Sequence, residues 1–113
     1  MNITAESYGH AVILNLQGEL TEDSLDALRK AVDHQLEADG VVDIVLNCEK
    51  VNFVDSTSLE YLLDLQDAQR ERFGQVRLMK PDANVRKILE ITRLDSSFDL
   101  CEDVREAVKA IEP

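Results

Sequence analysis

The short run Val42-Asp43-Ile44-Val45-Leu46 does most to limit what this chain can fold into. It barely alternates in polarity, so it reads as a central strand buried on both faces, the kind found in sheets covered by helices. The flanking segments agree. Upstream, Leu25, Leu28, Val32 and Leu36 stand at i, i+3, i+7 and i+11, one apolar stripe of a helix. That helix opens with the caps and acids of Thr21-Glu22-Asp23-Ser24 and closes at Gly40. Downstream, a loop leads through Phe53-Val54 to a second helix that carries Leu59, Leu62 and Leu63 inward and stops at Gly74.

The same alternation continues towards both ends. Ala11 to Leu16 is a largely buried strand ending at Gly18, and Asn2 to Tyr8 is a weaker one joined to it through a turn at Gly9-His10. Val76-Arg77-Leu78-Met79 is a further strand, closed by Lys80-Pro81. Asp82 or Asn84 starts a third helix with Val85, Ile88 and Leu89 on one face. Phe98-Asp99-Leu100 is a short edge strand, and Val104, Ala107, Val108 and Ile111 mark a last helix. No linker or repeat interrupts the 113 residues, so residues 1–113 are expected to form one domain. The expected class is α/β, a mixed sheet of about four to five strands with about four helices, its first hairpin adding an antiparallel edge.

Composition narrows the function. Twelve Lys and Arg against 23 Asp and Glu give a formal charge of −11, which repels nucleic-acid phosphates and anionic lipid surfaces and suits a partner with a basic face. Cys48 and Cys101 lack metal-ligand spacing and make no disulfide framework. There is no signal-peptide pattern and no apolar run near the roughly 20 residues that span a bilayer, so a cytoplasmic protein is expected. A nucleophilic serine needs a base, but His10 falls in a turn and His34 points off the apolar stripe. The four glycines sit at turns and helix ends, not in a phosphate loop. No enzyme, cofactor or metal site is expected.

Asp55-Ser56-Thr57-Ser58 stands apart: an apolar run stops at an acid and three hydroxyls just before a helix. Thr57-Ser58-Leu59-Glu60 matches a capping box, Thr at the cap and Glu three residues on. The same helix start, with its free N–H groups and positive dipole end, would also receive a phosphate.

The order hairpin, helix, strand, Asp-Ser-Thr at a helix start, strand, helix, short strand, helix resembles the STAS domain, the fold of bacterial anti-sigma-factor antagonists. The residues that carry the likeness are Leu16-Gln17-Gly18-Glu19-Leu20, Ile44-Val45-Leu46-Asn47 and Val51-Asn52-Phe53-Val54-Asp55-Ser56-Thr57-Ser58-Leu59. Val76-Arg77-Leu78 and the set Val85, Ile88, Leu89, Ile91 and Leu94 extend it over nearly the whole chain. Where the family usually has Gly this chain has Ser58, and where a small residue often follows the Leu it has Glu60, a carboxylate one turn from Ser56. The resemblance implies a partner-switching module. Unmodified, it would bind a serine kinase/anti-sigma factor through Asp55, Ser56, Thr57, Ser58 and Glu60. Phosphorylation of Ser56 would release it, and a metal-dependent serine phosphatase would reset it. In this reading Asp55 orients or polarises the Ser56 hydroxyl, while Thr57 and Ser58 shape the helix start. Two variants of the resemblance are a regulator of another output, such as secretion or biofilm formation, and a subunit of a lipid-transport ABC complex.

Overall fold

The computed structural model describes residues 1–37, 40–103 and 105. Its elements run β1 (Asn2–Tyr8), β2 (Ala11–Leu20), α1 (Glu22–Leu36), β3 (Asp43–Val54), α2 (Ser56–Glu71), β4 (Val76–Met79), α3 (Ala83–Ile91) and β5 (Asp99–Cys101). The strands form one sheet in the order β1-β2-β3-β4-β5. β1 pairs antiparallel with β2 through the turn at Gly9, whose φ of 63° a glycine adopts without strain. Every later pairing is parallel, and each is reached through a helix. The helix expected over Val104, Ala107, Val108 and Ile111 lies outside the described residues.

Alternation along the strands divides the core. Val12, Leu14, Leu16, Ile44, Leu46, Val76 and Leu78 pack with Leu25, Leu28 and Val32 of α1, Leu59, Leu62 and Leu65 of α2, and Val85 and Leu89 of α3. All three described helices therefore share one face of the sheet, as right-handed crossovers along a sequential strand order require. The intervening residues Ile13, Val45, Met79 and Cys101 form a second buried cluster on the opposite face. Ile44, Val45 and Leu46 are all at 0% exposure, so β3 is buried on both sides along that run, as expected.

β2 and β3 are longer than the apolar runs suggest. β2 continues past Gly18 to Leu20, and the loop expected after Leu46 is strand as far as Val54. The pairs Asn15↔Asn47, Gln17↔Lys50, Gly18↔Val51 and Leu20↔Val54 show the reason. Twice, β3 uses three residues where β2 uses two, so two one-residue bulges break the alternation while pairing continues.

α2 turns its expected face inward, with Leu63 at the margin packed against the core, and buries more than that. Leu63 is only partly buried, whereas Leu65, Gln66 and Gln69 are buried with Leu59 and Leu62. The glutamines are tolerated inside because each NH2 group finds an acceptor: Gln66 Nε2 donates to Ser97 O (2.8 Å) and Gln69 Nε2 to Val42 O (2.7 Å), although Gln66 Oε1 is buried without a donor. At the other side of the Val42 carbonyl, Asp43 is buried with Oδ1 accepting the Gln75 N–H (2.9 Å) and Oδ2 3.5 Å from His10 Nε2. Burial pushes its carboxyl up from the ordinary value, against the opposing pull of the Gln75 N–H and His10.

The end of α2 is a Schellman motif, with Gly74 N–H bonded to Gln69 O (2.7 Å) and Phe73 N–H to Arg70 O (3.1 Å). The left-handed position belongs to Phe73 (φ 64°, 97% exposed), not to the glycine after it. Gly74 is needed for space instead, since a Cβ there would run into the Val42 carbonyl oxygen. Two opposite outcomes follow in urea unfolding. Gly74→Ala should lose about 1–3 kcal/mol through the forced backbone shift. Phe73→Gly should gain about 0.5–1 kcal/mol, the left-handed strain removed less the freedom glycine adds to the unfolded chain.

Candidate functional site

Because β2 and β3 are parallel neighbours, their C-terminal ends lie side by side and so do the starts of α1 and α2. The Asp55 N–H donates to Leu20 O (3.0 Å), tying the two strand ends together. Further along, the Arg29 guanidinium lies over the Tyr61 ring at 5.2 Å, joining α1 to α2.

Asp55 occupies the N-cap of α2 in extended conformation (φ −89°, ψ 173°), and its Oδ1 accepts the Ser58 N–H at 2.8 Å. The cap therefore sits two residues before the expected Thr57, and no capping box forms there. The acid is the cap, and Ser56, Thr57 and Ser58 are the first three residues inside the helix. A carboxylate accepts from a helix N-terminus at least as well as a hydroxyl and adds a favourable charge. Glu60 lies beyond the first turn, exposed, on the same face as Ser56 at i+4.

The second carboxylate oxygen does something no local pattern foretells. Oδ2 accepts the N–H of Glu22, the first residue of α1, at 2.8 Å across 33 residues of chain. Asp55 thus satisfies the N-termini of two helices, and its hydrogen bonds go to backbone amides instead of the expected Ser56 hydroxyl. Burial would raise its carboxyl, but the N–H groups of Ser58 and Glu22 outweigh that and hold it below the ordinary value. The start of α1 is braced independently by Ser24, whose Oγ accepts the Thr21 N–H (2.9 Å) and donates to Glu19 O (2.8 Å).

The three hydroxyls are not equivalent. Ser56 and Thr57 are exposed, whereas Ser58 is at 0% exposure beside the buried Leu59. The structure gathers all five of the named residues at one helix start, but turns Ser58 inward. Two further contributors carry no local mark in the sequence, the Leu20 carbonyl at the end of β2 and the Glu22 amide at the start of α1. Phe53, 43% exposed, and exposed Asn52 border the same corner. Among the described residues no cluster of three or more His, Cys, Asp or Glu could hold a metal ion, and no helix is long and apolar enough to cross a membrane.

Asp55→Ala should destabilise the fold by about 1–3 kcal/mol at neutral pH, more than one ordinary cap because two helix ends lose their acceptor, though the Glu22 bond is solvent-exposed. Ser56→Ala should change stability by less than about 0.5 kcal/mol, since Ser56 is exposed and is not the cap. The Asp55 contribution has a definite pH sign. A carboxyl depressed in the folded state stabilises fully above its unfolded value, near pH 4, and loses that contribution as pH falls through the folded value. In urea unfolding, the gap between the wild-type chain and Asp55→Ala should therefore close in acid.

Comparison with known proteins places this geometry. The profile of the STAS domain family matches residues 2–107. An anti-sigma F factor antagonist of Paenibacillus polymyxa is 23% identical over 114 residues, spanning 99% of this chain and 97% of that protein. A Thermotoga maritima protein assigned as an anti-sigma factor antagonist superposes with a TM-score of 0.86 at 23% identity, covering 96% of this chain and 93% of that one. The anti-sigma factor antagonist SpoIIAA in its unphosphorylated form gives a TM-score of 0.79 at 22% identity over 99% of this chain and 100% of that chain. The Bacillus cell fate determinant SpoIIAA in its phosphorylated form gives 0.72 at 21%, over 96% and 98%.

Proposed function

The chain belongs to the STAS domain family, and from that premise we propose that it is an anti-sigma-factor-antagonist-like regulator switched by phosphorylation of Ser56. The observation that carries the reading is the accessibility of the helix start. Of the three hydroxyls after Asp55, Ser58 is closed off inside the fold, while Ser56 and Thr57 are open to a modifying enzyme. Ser56 directly follows the capping acid, the position the family resemblance gives to the acceptor. That a relative of this fold has been solved in both phosphorylated and unphosphorylated forms supports the same reading.

The unmodified surface offers a partner an exposed aromatic at Phe53, two hydroxyls, and the carboxylates of Glu22, Asp23 and Glu60. With a formal charge of −11 behind it, this corner suits a basic face on a serine kinase/anti-sigma factor. Phosphorylation adds about −1.5 to −2 charges and three acceptor oxygens. Within the free protein the helix N-terminus accommodates that anion. At a docked interface it would be buried among carboxylates, so binding is lost by repulsion and desolvation while the core stays folded. A metal-dependent serine phosphatase then restores the binding form.

Incubation with the cognate kinase followed by phosphopeptide mapping should find the phosphate on Ser56, and modification confined to Thr57 would overturn the assignment. In calorimetric titration against that kinase, Ser56→Ala should bind like the unmodified chain. Ser56→Asp should bind roughly tenfold or more weakly, about 1.4 kcal/mol, with an unchanged circular dichroism spectrum. Equal affinities would place the helix start outside the interface.

A further inference from the structure

We propose that Asp55 is a positioning residue that couples the chemical state of Ser56 to the first turn of α1, so that phosphorylation frees the Glu22 amide and loosens the start of α1. The inference rests on the reading of Ser56 as the acceptor, and adds to it how the modification spreads.

The geometry leaves little slack. Both oxygens of Asp55 are committed, Oδ1 to Ser58 N–H and Oδ2 to Glu22 N–H, each at 2.8 Å. Ser56 is the next residue and the first of α2. A phosphate there seeks the same N-terminal amides that Asp55 already serves, and two anions then contend for one helix end. No cation on these segments can settle the contest: residues 11–28 and 51–69 contain no Lys or Arg. The nearby first-turn side chains Glu22 and Asp23 add to the repulsion. The contact that yields is the solvent-exposed one, between Asp55 and Glu22. Loss of that acceptor leaves the first N–H of α1 without its partner, while the Ser24 bonds and the buried Leu25, Leu28 and Val32 keep the rest of the helix in place. The change is thereby confined to Glu22 and Asp23, next to the proposed docking corner.

The test uses the full chain with phosphoserine installed at position 56, compared with the unmodified chain by residue-resolved amide hydrogen exchange. The Glu22 amide should exchange roughly tenfold or more faster in the phosphorylated chain, the scale of one lost cap, with Leu28 unchanged. Asp55→Asn presents one oxygen and one NH2 group; with the oxygen kept on the Ser58 N–H, as in an ordinary Asn N-cap, the NH2 group faces Glu22 and that bond is lost. That variant should show fast Glu22 exchange before modification and no further change after it, which a merely structural loosening would not produce. Unchanged Glu22 exchange on phosphorylation of the wild-type chain overturns the coupling, and needs no variant to be seen. If kinase binding is lost on phosphorylation while Glu22 stays protected, the coupling fails and the switch stands. If Glu22 is freed while kinase binding persists, the coupling stands and the switch fails.

Discussion

The parallel pairing of β2 with β3 is the constraint on which the rest of this molecule depends. Its register runs from Ala11↔Asp43 to Leu20↔Val54, the longest parallel contact in the sheet. Parallel strands bring like ends together, so both following helices must begin at the same rim. With three helices on one face, each strand of the pair presents its alternate residues to a common core. A single side chain placed just past β3 can then reach the start of both helices. Asp55 is that side chain, and its two bonds are as much a product of sheet topology as of its own chemistry.

Much of this was legible in the chain. The apolar run around Ile44 announced a doubly buried strand, and the spacing of Leu25, Leu28 and Val32 announced the face of α1, because burial leaves a direct periodic mark. Less was legible wherever long-range partners decide the outcome. The strand after Leu46 was hidden because bulges erase alternation without ending the hydrogen bonding. Gln66 and Gln69 look like surface residues until Ser97 and Val42 supply acceptors for them. Gly74 looks like a helix stop, yet its role is set by a carbonyl more than thirty residues earlier.

The functional corner shows the same divide. That a helix begins near Asp55 was readable from hydroxyls and an acid before an apolar stripe. Which residue caps it was not, since Asp and Thr are both good N-caps and only backbone geometry separates them. Nor could composition distinguish three adjacent hydroxyls, although one turn of helix exposes Ser56 and Thr57 and hides Ser58. The distinction matters chemically, because a modifying enzyme needs access before it needs a motif.

The two bulges of β3 have a consequence for how such a chain can change over time. Inward-facing positions step from Cys48 to Val51 and from Val51 to Val54, each by three residues where a flat strand steps by two. Each extra residue shifts the inside–outside phase, and two together restore it by the time the chain reaches Asp55. The count of residues between Asn47 and Asp55 thus behaves like a reading frame. Substitutions at the outward positions Asn52 and Phe53 leave that frame intact, whereas one deletion would straighten a bulge and swing Asp55 to the wrong side of the rim. In this stretch a change of length disturbs the structure more than a change of letter at an outward position.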